Sequence, residues 1–190
     1  PFDDALLLPP GSVMTDVGKP FTVFTPFKRK WLNIPKQAMI DGMGQGIFVR
    51  SNMIDTYSLG AQHYPGYARA LSNHIPTLAD LGHPPTISVP PASAAEAQRR
   101  LQDFLAQQVY AYSQGRNGLA ALSADDTHNG SSFLSPYLRF GLLSPRQAYW
   151  AAREAYQRAG LADHQTSVET WVSELVWREF YMHILYHFPH

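Results

Sequence analysis

The stretch that decides the fold is "TWVSELVWREFYMHIL", residues 170–185, which repeats apolar residues with the period of a helix yet keeps an acid and a base. At about 100° per residue, five large or charged side chains share one arc of about 120°. They are Trp171, Glu174, Trp177, Arg178 and Tyr181. The rest of the wheel holds an apolar stripe made of Val172, Leu175, Val176, Phe180, Met182 and Ile184. The stretch therefore predicts a helix that packs on protein through the stripe and has a second face rich in aromatic and charged groups.

Two interpretations of the charged arc are compatible with the spacing. Glu174 and Arg178 lie four residues apart and could form a buried ion pair, although desolvation of both ions would roughly cancel their attraction. Alternatively, the arc could bind a planar ligand such as a base or a flavin, because aromatic faces stack on such ligands and charged groups bind their edges or phosphates. The geometry of the helix alone leaves the choice open.

Helix signals continue through the second half of the chain. Start signals are a serine or threonine followed by a glutamate or a proline, and glycines mark the stops. The starts are Ser93 with Glu96, Ser135 with Pro136, Ser144 with Pro145, and Thr166 with Glu169, and the stops are Gly141 and Gly160. After the first start, helical spacing links Leu101, Phe104, Leu105, Val109 and Tyr112. These signals predict that residues 93–188 are all helical.

The first half has a different character. The apolar run "DALLL" (4–8) and the alternating run "PFTVFTPF" (20–27) indicate short strands. Proline and glycine recur too often between 33 and 92 for long regular elements, which favours a linker. The chain begins at Pro1 in an apolar run and ends at His190 just after a long helix, so we expect a fragment of a larger protein.

Composition excludes several classes of site. Lys+Arg and Asp+Glu both number 15 among 190 residues, so any nucleic-acid site must be a local patch. The absence of cysteine excludes disulfides and thiolate metal sites. His183, His187 and His190 follow Glu179 at helical spacing, but no further ligand completes a set, so we predict no metal site. No apolar run is long enough for a membrane span, which favours a cytoplasmic protein.

Two further motifs carry groups that could bind ligands. In "NGSSFLSPYLRFG" (129–141), a glycine turn and three serine hydroxyls precede a helix start, an arrangement that can bind a pyrophosphate or can simply cap a turn. In "YSQGRN" (112–117), Tyr112 and Arg116 lie four residues apart on one face, at what could also be a frayed helix end. Both alternatives stay open for each motif.

In this order and spacing, the motifs resemble one family, the DNA photolyases and cryptochromes, most closely the bacterial class I cyclobutane-pyrimidine-dimer photolyases. Four stretches carry the resemblance: "FDDALLLPPGSVMTDVGKPFTVFTPFKRKWL" (2–32), "YSQGRN", "GSSFLSPYLRFGLLSPRQ" (130–147) and "WVSELVWREFYMHIL" (171–185). The resemblance implies a mainly α fold. Residues 93–190 would be the first part of a helical FAD-binding domain. Residues 1–92 would be a Pro/Gly-rich interdomain linker and a remnant strand of an α/β antenna domain.

The resemblance also implies roles for individual residues. Contacts to FAD would come from Tyr112, Ser131, Ser132, Phe133, Leu134, Ser135 and Trp171. Contacts to DNA would come from Arg116, Glu174, Trp177, Arg178 and Tyr181. Two of these would be catalytic: Glu174 would hydrogen-bond the edge of the pyrimidine dimer, and Trp177 would stack on the flipped-out lesion. Ser131 replaces the threonine usual in the family and keeps the hydroxyl.

The implied activity is light-driven repair of cyclobutane pyrimidine dimers by electron transfer from reduced FAD. The implied partners are damaged DNA and, in an antenna domain that this chain lacks, a folate or deazaflavin chromophore. We expect a monomer at full length, and a 190-residue chain that alone binds FAD weakly or not at all and is inactive. One alternative is a cryptochrome-type blue-light sensor, and another is a helical module that binds nucleic acid or a protein partner without a cofactor.

Overall fold

A computed structural model describes residues 5–38, 79, 81–83, 90–118 and 130–190. The chain divides into two compact units, one made of Pro1–Met39 with Pro91–His190 and the other of Ile40–Pro90. In the second unit the described residues include a tight turn in which the N–H of Gly82 donates to the carbonyl of Ala79. The predicted linker at 33–92 lies largely outside the described residues, and the domain boundary at residue 92 stays a prediction.

The described part of the first unit is built from helices, and no strand occurs among the described residues. In chain order the elements are α1 Phe24–Asn33, α2 Ala94–Ala106, a 3-10 turn Gln108–Ala111, α3 Tyr112–Gly115, α4 Ser135–Arg139, α5 Pro145–Arg158 and α6 Ala162–His187. The mainly α class is therefore confirmed. Within the same residues, none of the helices has the length and apolarity that a membrane span requires.

Three of the predicted helix starts are confirmed, two of them by side-chain caps. The Ser93 side chain accepts the N–H of Glu96 at 3.1 Å, and Ser144 forms a reciprocal capping box with Gln147 ahead of α5. The short helix α4 starts at Ser135, and Gly141 follows it in the left-handed region with φ of 71°. Each cap satisfies backbone N–H groups that have no partner inside the helix.

Two helix boundaries differ from the prediction. The helix predicted to run through Tyr112 ends at Ala106, because Gln107 leaves the helical region with φ of −144° and a 3-10 turn follows. The last helix starts at Ala162 and not at a capping box on Thr166. The Thr166 hydroxyl donates to the carbonyl of Ala162 inside the helix, and Asp163 in the first turn favours the earlier start.

The strand predicted at 20–27 is wrong, because α1 begins within it. Phe27 and Trp31 are four residues apart and both are buried, which is helical spacing. Pro26 is tolerated because it lies in the first turn, where its missing N–H would have no partner inside the helix. Residues 5–8, the described part of the other predicted strand, form turns and bends.

Helix α6 lies between two apolar cores. One core joins it to α2, α4 and α5 and includes Leu101, Phe104, Leu134, Leu138, Ala148, Ala152, Val168, Trp171 and Leu175. The other core joins its second flank to the chain before residue 32 and consists of Leu7, Leu8, Val13, Phe27, Trp31, Val176 and Phe180. Burial on both flanks leaves a partly exposed face that carries Glu174, Trp177, Arg178 and Tyr181, whereas Trp171, which the sequence predicted for the same face, is buried.

Candidate functional site

Arg116 and Glu174 meet on the accessible arc of α6. The Arg116 Nη1 atom lies 2.6 Å from Oε1 of Glu174, and the side chains are 36% and 38% exposed. Arg116 follows the short helix α3, so two motifs far apart in the sequence meet here. The pair settles one question left open by the sequence: Glu174 is paired with Arg116, and the alternative Glu174–Arg178 pair is wrong.

Arg178 instead ties α6 to two other segments. Its guanidinium donates to the backbone carbonyl of Ala5 and, at 3.3 Å, to that of Leu138. Burial lowers the pKa of the Arg178 guanidinium, and the neighbouring Glu179 carboxylate opposes that shift. In this structure Arg178 therefore holds the edge of the site together.

A contact between two glycines positions the Tyr112–Arg116 turn against the hydroxyl run. Gly130 has φ of 60°, and a Cβ atom there would lie 2.5 Å from the carbonyl carbon and oxygen of Gly115. Any larger residue at 130 would clash with backbone, so the close approach requires glycine. The N–H of Ser113 donates to Oγ of the buried Ser167 at 2.9 Å, which attaches the same turn to α6.

The hydroxyl run lines a small cleft. The cleft has a volume of about 100 Å³, and its lining combines Ser131, Ser132 and Phe133 with residues of α2 and the following turn, namely Arg99, Arg100, Asp103, Phe104 and Gln108. Arg99 is paired with Glu96 and Asp103, and Arg100 is paired with Glu96, so an anion in the cleft would share these guanidinium groups with the carboxylates and would accept hydrogen bonds from the serine hydroxyls. Phe133 has φ of 50°, a strained value for a bulky side chain.

The other predicted FAD contacts lie behind or beside this cleft. Leu134 belongs to the core, and Ser135 is exposed at the start of α4. The ring of Tyr112 packs edge-on against Phe104 with centroids 5.9 Å apart, and Phe104 contacts Trp171 at 5.3 Å. Burial, followed by the charge of Glu174, raises the pKa of the Tyr112 phenol. Trp171 is almost completely buried, so this part of the chain uses it as core.

Trp177 belongs to an aromatic stack. Its indole lies parallel to the ring of Phe24, with centroids 3.5 Å apart and planes 7° apart. The ring of Tyr181 stacks on it at 5.6 Å and 22°. Trp177 is partly buried and Tyr181 is 59% exposed, so the stack extends from the second core to the surface.

A buried carboxylate that the site prediction omitted lies behind this stack. Glu179 is fully buried, and its two oxygens accept hydrogen bonds from the N–H of Leu7 and, at 2.6 Å, from the indole Nε1 of Trp31. Burial raises the pKa of Glu179, and these donors only partly offset the effect. On the wheel Glu179 lies at about 80° from Trp171, inside the apolar stripe. An acid at that position was the signal that could have revealed it.

The histidines at the end of α6 lie apart from this site. Both ring nitrogens of the buried His183 have no hydrogen-bond partner in the described part of the chain, and the ring packs edge-on against Phe27 at 5.3 Å. Burial, and then the charge of His187, lowers the pKa of His183. No group of three or more potential metal ligands occurs among the described residues.

Comparison with known proteins extends the sequence resemblance. No protein-family model matches the chain. The chain is 34% identical to the deoxyribodipyrimidine photo-lyase of Vibrio cholerae, with 97% of this chain and 34% of the relative covered. The deoxyribodipyrimidine photo-lyase of Synechococcus is 32% identical, with 98% of this chain and 35% of the relative covered. That of Escherichia coli is 33% identical, with 99% of this chain and 34% of the relative covered.

A solved structure shares the fold. It is a class III photolyase from Agrobacterium tumefaciens, with a TM-score of 0.62 at 22% sequence identity, and the match covers 98% of this chain and 34% of that one. The chain thus spans about a third of the length of the relatives and the structure that it matches. Over that third, the sequence motifs and the helical fold agree with these relatives, and the chain is similar to the DNA photolyases.

Proposed function

We propose that the full-length protein repairs cyclobutane pyrimidine dimers in DNA by light-driven electron transfer from reduced FAD. The observation that carries the proposal is the contact between Arg116 and Glu174 at 2.6 Å, on the same side of α6 as the exposed ring of Tyr181 two turns further along. The two charged residues come from separate motifs and meet on an accessible face of α6. The names of the relatives, deoxyribodipyrimidine photo-lyases, point to the same reaction.

Glu174 has the hydrogen-bonding capacity that the edge of a pyrimidine requires. Its Oε1 accepts from Arg116, whereas Oε2 accepts no hydrogen bond from any residue that the structure describes. A carboxylate oxygen can accept the imide N–H of a thymine, and the remaining N–H groups of Arg116 can donate to carbonyl or phosphate oxygens. The pair would thus orient the lesion and hold donors next to the oxygens that gain negative charge during repair.

The aromatic stack would bind the face of the lesion. A pyrimidine dimer stacks and pairs poorly in the duplex, so extruding it costs less free energy than extruding intact bases. Trp177 and Tyr181 offer adjoining ring surfaces at the accessible end of the stack. Base–aromatic stacking is worth about 1–3 kcal/mol per base, which is enough to favour the extruded state.

The hydroxyl run fits the phosphate part of FAD. Ser131 and Ser132 line the cleft of about 100 Å³ together with Arg99 and Arg100, and a pyrophosphate there would accept the serine hydroxyls and compete with Glu96 and Asp103 for the two guanidinium groups. The size suits the phosphates and leaves the flavin ring to surfaces beyond these residues. When bound and reduced, the flavin would supply the electron that opens the cyclobutane ring and would take it back once the ring has split, so the repair is redox-neutral.

The test is photoreactivation with the full-length protein. Purified protein is mixed with an oligonucleotide that carries one thymine dimer, and dimer loss is measured under blue light and in the dark. We expect light-dependent loss of the dimer. Glu174→Ala should slow it at least about tenfold, since it removes a charged hydrogen-bond acceptor. Glu154→Ala is the matched control, because Glu154 is exposed on α5 and only weakly paired with Arg158.

The same preparation separates the alternatives. A flavin absorbance band without repair in light would replace the proposal with a light-sensing function. Absence of flavin, together with dimer binding that Ser132→Ala and Ser135→Ala leave unchanged, would favour the cofactor-free binding module. Reduced flavin content in the two serine variants supports the proposal.

A further inference from the structure

We infer that Phe24 is a positioning residue that fixes the plane of Trp177 for stacking on a flipped-out base, an inference that rests on the proposed function. The two rings lie 3.5 Å apart and within 7° of parallel, which is full face-to-face contact. Phe24 therefore covers one face of the indole. A planar ligand would have to use indole surface that Phe24 does not cover, next to the ring of Tyr181, which stacks on the same indole with centroids 5.6 Å apart.

The ring of Phe24 is itself held in place. Phe180 contacts it edge-on at 5.8 Å and also contacts Trp177 edge-on at 5.8 Å, so three rings fix one another's orientation. Offset-stacked and edge-to-face pairs are the favoured arrangements of aromatic rings, and each such pair adds to the burial of the rings. A Phe24 ring packed in this way is a fixed support for the indole.

The backbone under Phe24 is anchored by polar contacts on α6. Phe24 is the first residue of α1, and two residues further along the same helix are bound to α6. The Trp31 indole donates to the buried Glu179, and the Lys28 ammonium donates to Oγ of Ser173. Phe27, the residue before Lys28, is fully buried. Moving Phe24 away from Trp177 would therefore require a side-chain rearrangement on a fixed helix.

These contacts give the segment before residue 34 a role in the site. A residue that binds a ligand through an ordered ring loses less conformational entropy on binding than one whose ring must first be ordered. Phe24 supplies that order to Trp177. Substitution at Phe24 should thus weaken lesion binding without removing any group that touches the lesion.

The experiment combines a spectroscopic and a binding measurement on the full-length protein. The contribution of Trp177 to the near-ultraviolet circular dichroism is obtained by subtracting the spectrum of Trp177→Phe. We expect Phe24→Leu to abolish that contribution and Phe24→Tyr, which keeps the ring, to retain it. Phe21→Leu is the matched control, because Phe21 lies in the same segment but packs on Phe27. An unchanged Trp177 contribution in Phe24→Leu overturns the inference.

Binding is measured in the dark with a fluorescent oligonucleotide that carries a single thymine dimer and with its undamaged counterpart. Phe24→Leu should weaken binding of the dimer about three- to tenfold, the range that corresponds to one lost aromatic pair, and should leave the undamaged strand unaffected. The loss should vanish in the Trp177→Phe background, because the two residues act through one contact. Tighter dimer binding by Phe24→Leu would overturn the inference and identify Phe24 as a cover that the base must displace.

The two hypotheses fail in different ways. If the wild-type protein does not distinguish the dimer from undamaged DNA, the proposed function fails, and the circular dichroism still decides whether Phe24 orders Trp177. If the wild type distinguishes them and Phe24→Leu does so equally well, the positioning role alone is refuted.

Discussion

Helix α6 carries two carboxylates about 140° apart that meet opposite environments. Glu174 is more than a third exposed and forms an ion pair with Arg116. Glu179 is fully buried, and its two oxygens accept N–H groups from the segment before residue 32. The first faces the candidate site, and the second holds the segment that supports it. An acid on an apolar helix can thus lie at an accessible surface or inside the packing, and the partners of its oxygens distinguish the two positions.

Removing the buried carboxylate should have the largest effect. Glu179→Ala leaves the indole N–H of Trp31 and the N–H of Leu7 buried without acceptors. We expect a loss of about 3–5 kcal/mol in the free energy of unfolding, since each unsatisfied buried donor costs about 1–3 kcal/mol. Urea denaturation monitored by circular dichroism measures it.

Two further variants sharpen this test. Glu174→Ala, on the exposed side of the same helix, should cost less than about 1 kcal/mol. Glu179→Gln keeps one acceptor but places an amide N–H opposite a donor, so its loss should fall between the two. Equal losses for Glu179→Ala and Glu174→Ala would show that the contrast between the two faces has no energetic basis.

The contrast also marks what the sequence could and could not predict. The period of 170–185 was enough to predict a helix with two faces, and the caps at Ser93 and Ser144 were enough to place two helix starts. The prediction of a strand at 20–27 was wrong because, over so few residues, an alternating apolar pattern and the apolar spacing of a helix cannot be distinguished. Burial of Phe27 and Trp31 by α6, a long-range contact, decides the outcome.

For the site, too, the sequence indicated individual residues but not the contacts between them. Arg116 and Glu174 were selected from separate motifs, but their pairing depends on the close approach of Gly115 and Gly130 and on the bond from Ser113 to Ser167. Those contacts join parts of the chain that are distant in sequence, and no local pattern specifies them. Phe24 was missed for the same reason, since its contact with Trp177 exists only after α1 has packed on α6.

The second prediction concerns pH and tests the packed face. Burial lowers the pKa of His183 below the value of 6.5 that applies to the unfolded chain. The unfolded state therefore binds more protons just below pH 6.5, and the contribution of His183 to stability is lost as the pH falls below that value. We expect the free energy of unfolding of the wild type to decrease, relative to that of His183→Leu, when the pH is lowered from 8 to 5.5. This decrease should be smaller than the loss of unfolding free energy caused by Glu179→Ala.

The measurement is urea denaturation of wild type and His183→Leu at pH 8 and pH 5.5. Only the difference in unfolding free energy between the two proteins is interpreted, because Glu179 titrates in the opposite sense in both of them. Its pKa is raised in the fold, so its contribution is lost as the pH rises. His190→Gln, at an exposed position beyond α6, should leave the pH dependence unchanged. Parallel pH profiles for wild type and His183→Leu would contradict the assignment of His183 to the buried face.

The smallest expected effect on stability is at the exposed Arg116–Glu174 pair, and it tests whether the pair stabilises the fold or binds a ligand. A double-mutant cycle with Arg116→Ala and Glu174→Ala should give a coupling free energy of about 0.5 kcal/mol for unfolding, since water and salt screen a pair with more than a third of each side chain exposed. A coupling above about 2 kcal/mol would make the pair a structural element like Glu179. A small coupling free energy in unfolding, combined with a large one in dimer binding, means that this contact contributes little to the stability of the fold and that the pair serves to bind a ligand. The two cycles, measured on the same four proteins, therefore separate packing from recognition on a single helix.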